Sequence, residues 1–375
     1  MVEGKVPVAQ AIAEAGQPAS DVRSLKRLAD RAFFRKGVAV AVLSGIAYGL
    51  YSAFVTVAMG EGVWADWYGT NAAGLTAFTI VYVLGVLGSG INDSASALWA
   101  VAIAIAKGKI SDFLRCLKTK PGVVMIGCAI IGGPIASAAY IIALQLAGSI
   151  IIPITALCPA IGAIIGRVFF RQQLNLRMGV GIAICLVATV MIGSQSMSVD
   201  APEGLLLGCL IAFIAALGWG IEGCVAGFGT ILIDYEIGIT IRQVTSGLVN
   251  LLIMMPLVCI LAGNVLLAPD LLGLALTDGP SMFFFAISGF CALFAYSLWY
   301  KGNSMCGTAL GMVCNGAYSF WGPFFCWIVL GVIFGQDGWM LAPIAWIAAI
   351  VMFIGILLIA VNPLTLFKNS TKESA

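Results

Sequence analysis

One carboxylate lies within a long apolar stretch. Residues 218–229 read GWGIEGCVAGFG, and their acidic residue is Glu222. A charged side chain near the centre of a membrane helix costs about 2.5–3.5 kcal/mol, and such residues usually pair with a partner or serve a function. The sequence therefore predicts either a buried counter-ion for Glu222 or a binding or coupling site around it.

A counter-ion is available twenty residues further along the chain. Arg242 stands at the start of the next apolar segment, and a hairpin between the two segments would bring the side chains together. In the alternative, Glu222 faces a cavity among aromatic rings. There it would attract a cation, with cation–π contacts of about 0.5–2 kcal/mol each, or carry a coupling proton. The sequence leaves the structural and the functional alternative open.

Polar and aromatic side chains recur at helical spacing in several other apolar segments. Ser44, Tyr48 and Tyr51 share one helical face, for example, and so do Asn315 and Tyr318. Such faces predict an internal cavity, although small polar residues also join membrane helices without lining one. The candidate binding residues are Tyr48, Tyr51, Trp219, Glu222, Tyr296, Trp299, Asn315 and Tyr318, and the candidates for coupling or gating are Glu222 and Arg242.

The composition indicates the setting of these residues. Of 375 residues, 61% are hydrophobic and 10% are charged. Segments of about 20 apolar residues, enough to cross a membrane, recur along the chain. We predict an all-α, polytopic membrane protein with ten transmembrane helices, at approximately 37–59, 71–90, 122–146, 150–169, 178–194, 204–229, 240–262, 280–300, 305–333 and 341–361.

The second segment is too long for a single crossing if it extends to residue 106. Residues 88–95 read GSGINDSA, which predicts an interruption of the helix, with Asp93 as a structural cap for the next segment. Residues 94–106 then form either an extension of the second span or a helix at the membrane surface.

The basic residues predict the orientation. With the amino terminus inside, all 19 Lys and Arg residues fall on the inner side, including Arg242. The loops assigned to the outer side contain acidic residues such as Glu61 and Asp337. By the positive-inside rule we expect both termini in the cytoplasm, with the protein in the plasma (inner) membrane of a bacterium.

The two halves of the chain resemble each other. SGIAYGLYSA at 44–53 is similar to AALGWGIEGC at 215–224, and AYIIALQLAGS at 139–149 is similar to AYSLWYKGNSM at 295–305. Five spans followed by five similar spans predict two inverted five-helix repeats, an arrangement common in secondary transporters. The predicted divisions are a cytoplasmic tail at 1–36, repeats at 37–200 and 201–362, and a second cytoplasmic tail at 363–375.

A family resemblance rests on the run at 140–193, which begins YIIALQLAGSIIIPITALCPAIG, and on its repetition from Tyr296. The run resembles spans three to five of the drug/metabolite transporter (DMT) superfamily, in its EamA-type branch. The resemblance implies ten helices around a central cavity and transport of small organic molecules without ATP. One departure is that glutamates frequent in this family are replaced by Gln172 and Gln336.

These observations predict a secondary active transporter that works by alternating access. The substrate would be a small organic metabolite, cationic or zwitterionic, such as an amine, a quaternary ammonium compound or an amino-acid-like molecule, with a proton or another ion as a coupling partner. The alternatives are an exporter of neutral metabolites or drugs in which Glu222 is purely structural, and, more remotely, a channel or a non-transporting membrane protein.

Other classes of function lack the residues they would need. The chain has no histidine, no nucleotide-binding loop and no pair of acids at catalytic spacing, so we expect no enzyme. None of the eleven cysteines forms a CxxC pair, and they are predicted to be packing residues. We expect no metal, no cofactor and no nucleic-acid partner. The expected partners are the small-molecule substrate and the lipid bilayer.

Overall fold

The computed structural model describes residues 19–170, 176–193, 203–306 and 308–360. Within these ranges the secondary structure is helical and contains no strand, so the predicted all-α class is confirmed for the described residues. The predicted boundary at 200/201, the tail at 363–375 and Gln172 lie outside them, as do residues 1–18 of the predicted amino-terminal tail.

The first half of the chain contains nine α-helices within the described residues. They are α1 Ala19–Ala58, α2 Asp66–Asn71, α3 Leu84–Ala106, α4 Ile110–Cys116, α5 Lys120–Ile130, α6 Ala136–Ala147, α7 Ile152–Thr155, α8 Cys158–Phe170 and α9 Leu176–Gly193. A π-helical segment at Thr79–Val83 leads into α3, and another at Ile131–Ile135 joins α5 to α6.

The second half contains eight α-helices in the part of the chain that the structure describes. They are α10 Leu205–Leu232, α11 Tyr235–Val249, α12 Met255–Leu261, α13 Leu267–Thr277, α14 Gly279–Cys306, α15 Thr308–Asn315, α16 Tyr318–Cys326 and α17 Pro343–Ala360. One π-helical segment connects α11 to α12 at Asn250–Met254, and another comes directly after α16 at Trp327–Ile333.

Six helical segments of the described chain are long and apolar enough to cross a membrane, which fits a membrane protein. They are Lys36–Ala58, Thr79–Ala106, Lys120–Thr155, Leu205–Ala226, Tyr235–Leu261 and Gly279–Met305. Shorter apolar segments are Gly179–Ala188, Leu267–Thr277, Tyr318–Ile333 and Pro343–Leu358. The third long segment leaves α-helical geometry at Gly148, whose φ is 63°.

The predicted interruption at residues 88–95 is wrong. Helix α3 continues through them, and Asn92 and Asp93 are buried within it. Ser288 of α14 donates a hydrogen bond of 2.7 Å to Asn92 Oδ1. Polar residues therefore fit the middle of this helix because neighbouring helices supply their partners, and these contacts override the local preference of Gly, Asn and Asp for a helix end.

One predicted span boundary agrees with the structure and another differs. Helix α1 begins at Ala19, and its apolar part, Lys36–Ala58, matches the predicted span at 37–59. Helix α11 begins at Tyr235, where the Asp234 side chain accepts a hydrogen bond from the backbone N–H of Glu236. Arg242 therefore lies two turns inside α11 and is fully buried. Because it is not in a loop, its charge is no evidence for the orientation of the chain in the membrane.

The helices pack in a small number of extensive pairs. Helix α1 packs along α14, and α6 packs along α10. Helix α3 lies against α11, and α9 lies against α17. Helices α16 and α8 complete the centre by packing on α1 and α10, respectively. The middles of α1, α6, α10, α14 and α16 thereby meet in the interior.

Candidate functional site

Aromatic rings from five helices converge on Tyr48. Its ring lies 4.4 Å from that of Tyr318 and 5.2 Å from that of Tyr51, measured between centroids. Tyr140, Trp219 and Tyr296 complete the contacts at 5.6, 5.7 and 6.2 Å. Edge-to-face geometry dominates, which is the favoured arrangement of aromatic pairs.

Hydrogen bonds fix the helices that carry these rings. Ser52 Oγ and Tyr140 OH are 2.5 Å apart, which joins α1 to α6. Asn315 Nδ2 donates to Ser44 Oγ at 2.7 Å, which joins the end of α15 to α1. Spacings of four residues in α1 place Ser44, Tyr48 and Ser52 on the face that turns inward.

The rings enclose a small cavity. Its volume is about 10 Å³, room for about one water molecule. The lining residues are Tyr48, Cys158, Trp219, Ala295, Tyr296, Trp299, Asn315 and Tyr318. None of them is charged, so the cavity is aromatic and neutral, and it is closed in this conformation.

Three polar atoms of the lining lack a hydrogen-bond partner among the described residues. They are Tyr48 OH, Tyr296 OH and Trp299 Nε1, on side chains that are each less than 5% exposed. Tyr140 and Ser137 are near the two hydroxyls but outside hydrogen-bond geometry. An unmade buried hydrogen bond costs about 1–3 kcal/mol, so these atoms mark a place for a polar ligand or water.

A fully buried ion pair lies behind one wall of the cavity. Arg242 Nε is 3.1 Å from Glu222 Oε1, and both side chains are completely buried. Tyr300 OH donates to the same carboxylate oxygen at 2.9 Å, while Glu222 Oε2 has no partner among the described residues. The guanidinium carbon of Arg242 lies 3.7 Å from the centroid of the Tyr296 ring, so it couples the ion pair to the cavity wall.

The π-helical segment Ile131–Ile135 supplies the acceptor for this arginine. Pro134, which has no backbone N–H, lies within it. The carbonyl of Gly132 accepts from Arg242 Nη2 at 2.9 Å and from Trp219 Nε1 at 2.8 Å. Single π turns inside α-helices are often found at functional sites, and here one connects the ion pair to the aromatic cluster.

A second polar cluster lies along the interface of α3 and α11. Arg242 Nη1 donates to Gln243 Oε1, and Gln243 Nε2 donates to Ser96 Oγ. One turn further, Asp93 Oδ2 accepts from Ser246 Oγ and from Asn250 Nδ2, the latter at 3.0 Å. Polar contacts therefore run along the whole middle of this helix pair.

A larger cleft of about 200 Å³ lies toward the other end of α3, beside Lys107. Lys109 Nζ is 3.1 Å from Asp234 and 2.6 Å from Glu236. Partial burial lowers the pKa of Lys109, but the hydrogen bonds to Glu236 and Asp234 outweigh it and raise that pKa overall. Lys107 and Lys109 are thus paired with acids, so the small aromatic cavity is the stronger candidate site.

The structure brings most of the predicted binding residues together. The six that line the cavity are Tyr48, Trp219, Tyr296, Trp299, Asn315 and Tyr318. Tyr51 packs against Tyr48 from outside the lining. Glu222 is also outside it, held by Arg242 in the ion pair that the sequence left as the structural alternative. The role of each residue in binding stays a prediction.

Sequence reasoning missed three residues of this region, Tyr140, Cys158 and Tyr300, and it placed Asp93 at a helix end although the residue is buried in the interior. For Tyr140 a signal existed, because the similar segments at 139–149 and 295–305 align it with Tyr296. No spacing rule distinguishes Cys158 or Tyr300 from packing residues.

No protein-family model matches the chain, and no curated protein matches it either. A solved structure described only as "Crystal structure of protein" is similar in fold, with a TM-score of 0.50 and 17% sequence identity. The similarity covers 89% of this chain and 99% of the other. At this identity the likeness concerns the fold alone. The class that the helices fit is a polytopic membrane protein, and the DMT resemblance stays a prediction.

Proposed function

We propose that the protein is a secondary transporter of a small organic molecule, which it moves by alternating access. The observation that carries this proposal is the closed aromatic cavity, where three polar atoms without partners among the described residues converge between helices of both halves of the chain. Buried hydroxyl and indole groups without partners favour a polar ligand between these helices, because an unmade buried hydrogen bond is costly.

The pairing of helices supports ten spans in two inverted repeats. Suppose that each helix of the first half has a counterpart in the second half, with α1 matching α10 and α6 matching α14. The contact between α1 and α14 then has its counterpart in the contact between α10 and α6, and both contacts are extensive. Likewise, the contact of α1 with α16 has its counterpart in that of α10 with α8, and the pairs α3–α11 and α9–α17 each join two matching helices. A pseudo-two-fold axis would produce this pattern, and transporters with inverted repeats bind their substrates at such an axis.

The chemistry of the lining favours an uncharged or zwitterionic substrate. Arg242 already neutralises Glu222, and it also occupies one face of Tyr296. A cation would therefore have to displace the guanidinium before it reached the carboxylate. These contacts favour the alternative in which Glu222 is structural and the substrate is held by aromatic faces and hydrogen bonds.

The small volume supports a closed state within a cycle. An organic molecule does not fit into about 10 Å³, so loading requires the surrounding helices to separate. The interrupted helices offer places for such movement. Pro134 lies in the π segment between α5 and α6, and Pro323 lies inside α16. Helices bend at prolines and π turns more readily than elsewhere.

Counterflow in proteoliposomes tests the proposal. A thermal-shift screen of neutral, zwitterionic and cationic metabolites first identifies a ligand for the purified protein. We then expect saturable uptake of that ligand and transient accumulation when vesicles are preloaded with unlabelled ligand. Uptake that rises linearly with concentration, without counterflow, would mean a channel and would contradict the proposal.

Tyr48→Phe should separate ligand binding from folding. The substitution removes a buried hydroxyl that has no partner among the described residues, so we expect the thermal midpoint of the ligand-free protein to stay the same or rise. Ligand affinity should fall about 10-fold, corresponding to about 1.4 kcal/mol for one lost hydrogen bond. Tyr68→Phe in α2, away from the cavity, is the control. Equal affinities of the two variants would show that the Tyr48 hydroxyl does not contact the ligand.

A further inference from the structure

A second buried acid lies outside the aromatic cavity. Asp93 sits in the middle of α3 and is 1% exposed. Ser246 and Asn250, both from the opposite helix segment, donate hydrogen bonds to its Oδ2. Asn250 Nδ2 also contacts Ser89 Oγ at 3.2 Å, so the cluster ties α3 to the end of α11.

The charges around Asp93 do not balance if both nearby acids are ionised. The charged groups that act on it electrostatically are Arg242 from α11 and Glu222 from α10, and the titratable hydroxyls that do so are Tyr51 from α1 and Tyr296 from α14. The guanidinium nitrogens of Arg242 are directed at other groups, namely Glu222, Gln243, Ser137 and the Gly132 carbonyl. The single positive charge of Arg242 would therefore have to balance the negative charges of two carboxylates.

A carboxylate left without a counter-ion among membrane helices is costly, and such residues mark proton relays in transporters. The polar neighbours of Asp93 are neutral serine and asparagine side chains, which can hydrogen-bond an acid but cannot neutralise it. A bound proton would remove the surplus charge with no change in the packing of the helices.

The side chain of Asn250 suits both protonation states. Its Nδ2 donates to Asp93 Oδ2, while its own Oδ1 is fully buried and has no partner among the described residues. The oxygen and nitrogen of a carboxamide are nearly equal in shape, so a rotation of this group exchanges them. The amide then donates to an ionised Asp93, or accepts from the O–H of a protonated one.

We propose that Asp93 reversibly binds one proton at the α3–α11 interface, and that this proton is the coupling ion of the transport cycle. Water on one side of the membrane gives the proton to a carboxylate oxygen, and the O–H bond breaks toward water on the other side when the two helices separate there. Proton binding by Asp93 is inferred from the local geometry alone, whereas the coupling of this proton to transport rests on the proposed function.

Infrared difference spectroscopy of the purified protein tests proton binding without any substrate. Titration from alkaline to acid pH should produce the C=O band of a protonated carboxylic acid at Asp93. The other carboxyl groups of the chain contribute to every variant, so the band is sought in the spectrum of the wild type minus that of Asp93→Asn, which keeps the size of the side chain. Absence of a band from this difference at every pH would overturn the proposal.

A metal cation is the competing occupant, and the thermal midpoint distinguishes it. Sodium chloride and potassium chloride at equal ionic strength should stabilise the wild type equally. A stabilisation by sodium that Asp93→Asn abolishes would overturn the proposal in favour of a sodium site.

Coupling is tested in proteoliposomes with the ligand from the thermal-shift screen. An imposed pH gradient should drive accumulation by the wild type, and Asp93→Asn should lose this accumulation while it keeps counterflow. Accumulation by Asp93→Asn equal to that of the wild type overturns the coupling step. Absence of counterflow from the wild type contradicts the proposed function instead, and in that case the infrared band still decides whether Asp93 binds a proton.

Discussion

Arg242→Met should lower the free energy of unfolding by about 3–5 kcal/mol, the usual cost of removing one partner from a buried ion pair. The substitution would leave Glu222 fully buried with Tyr300 as its remaining hydrogen-bond partner among the described residues, and the Gly132 carbonyl would lose its bond from the guanidinium. The thermal midpoint and the SDS-induced unfolding of the detergent-purified protein measure the effect.

The double variant Arg242→Met with Glu222→Gln should recover most of this loss. Glutamine keeps an acceptor for Tyr300 without a charge, and well-packed neutral residues often replace a buried pair at little cost. Arg115→Ala is the control, because the Arg115–Asp112 pair is exposed and such pairs contribute little. If Arg242→Met unfolded at the same midpoint as Arg115→Ala, the buried pair would not be holding the helices together.

Gly132→Ala should be the next most damaging change, with a loss near the upper end of the ~1–3 kcal/mol typical of overpacking. A Cβ atom at this position would collide with the carboxyl group and the Cβ of Glu222. The backbone would have to move, and its carbonyl would leave Arg242 and Trp219. The loss should appear as a lower thermal midpoint.

Gly127→Ala in the same part of the chain is the matched control. No atom lies within 4 Å of a Cβ added there. Alanine is the better helix former by roughly 0.5–1 kcal/mol, so the midpoint should stay the same or rise. A similar loss in both variants would mean that the effect comes from the helix and not from the contact of Gly132 with Glu222.

The sequence was sufficient for the helical class and for much of the cavity. Apolar segments of membrane-spanning length are a strong local signal, and the stripes around Tyr48, Trp219 and Asn315 follow from helical spacing. These residues carry polar or aromatic groups that lipid does not favour. Their common location is therefore predictable before their distances are known.

Other features depend on contacts that no local pattern records. Asp93 was expected near a helix end, because its glycine and asparagine neighbours are typical of one. Partners from α11 and α14 keep the region helical instead. The π segment at Ile131–Ile135 and the use of the Gly132 carbonyl by Arg242 likewise arise from packing between helices. From the sequence, Glu222 could either pair with Arg242 or face a cavity, and only its measured distance to Arg242 distinguishes the two roles.

The accessibility of Cys158 tests the central claim most directly, because this native thiol lines the closed cavity. A variant would keep Cys158 and carry alanine at the other ten cysteine positions. A membrane-impermeant methanethiosulfonate reagent is then applied to either side of oriented vesicles. Alternating access predicts that Cys158 reacts from each side, that bound ligand slows both reactions, and that the membrane stays non-conducting. Reaction from one side only, or from neither, would contradict a cavity that opens in turn to both sides of the membrane.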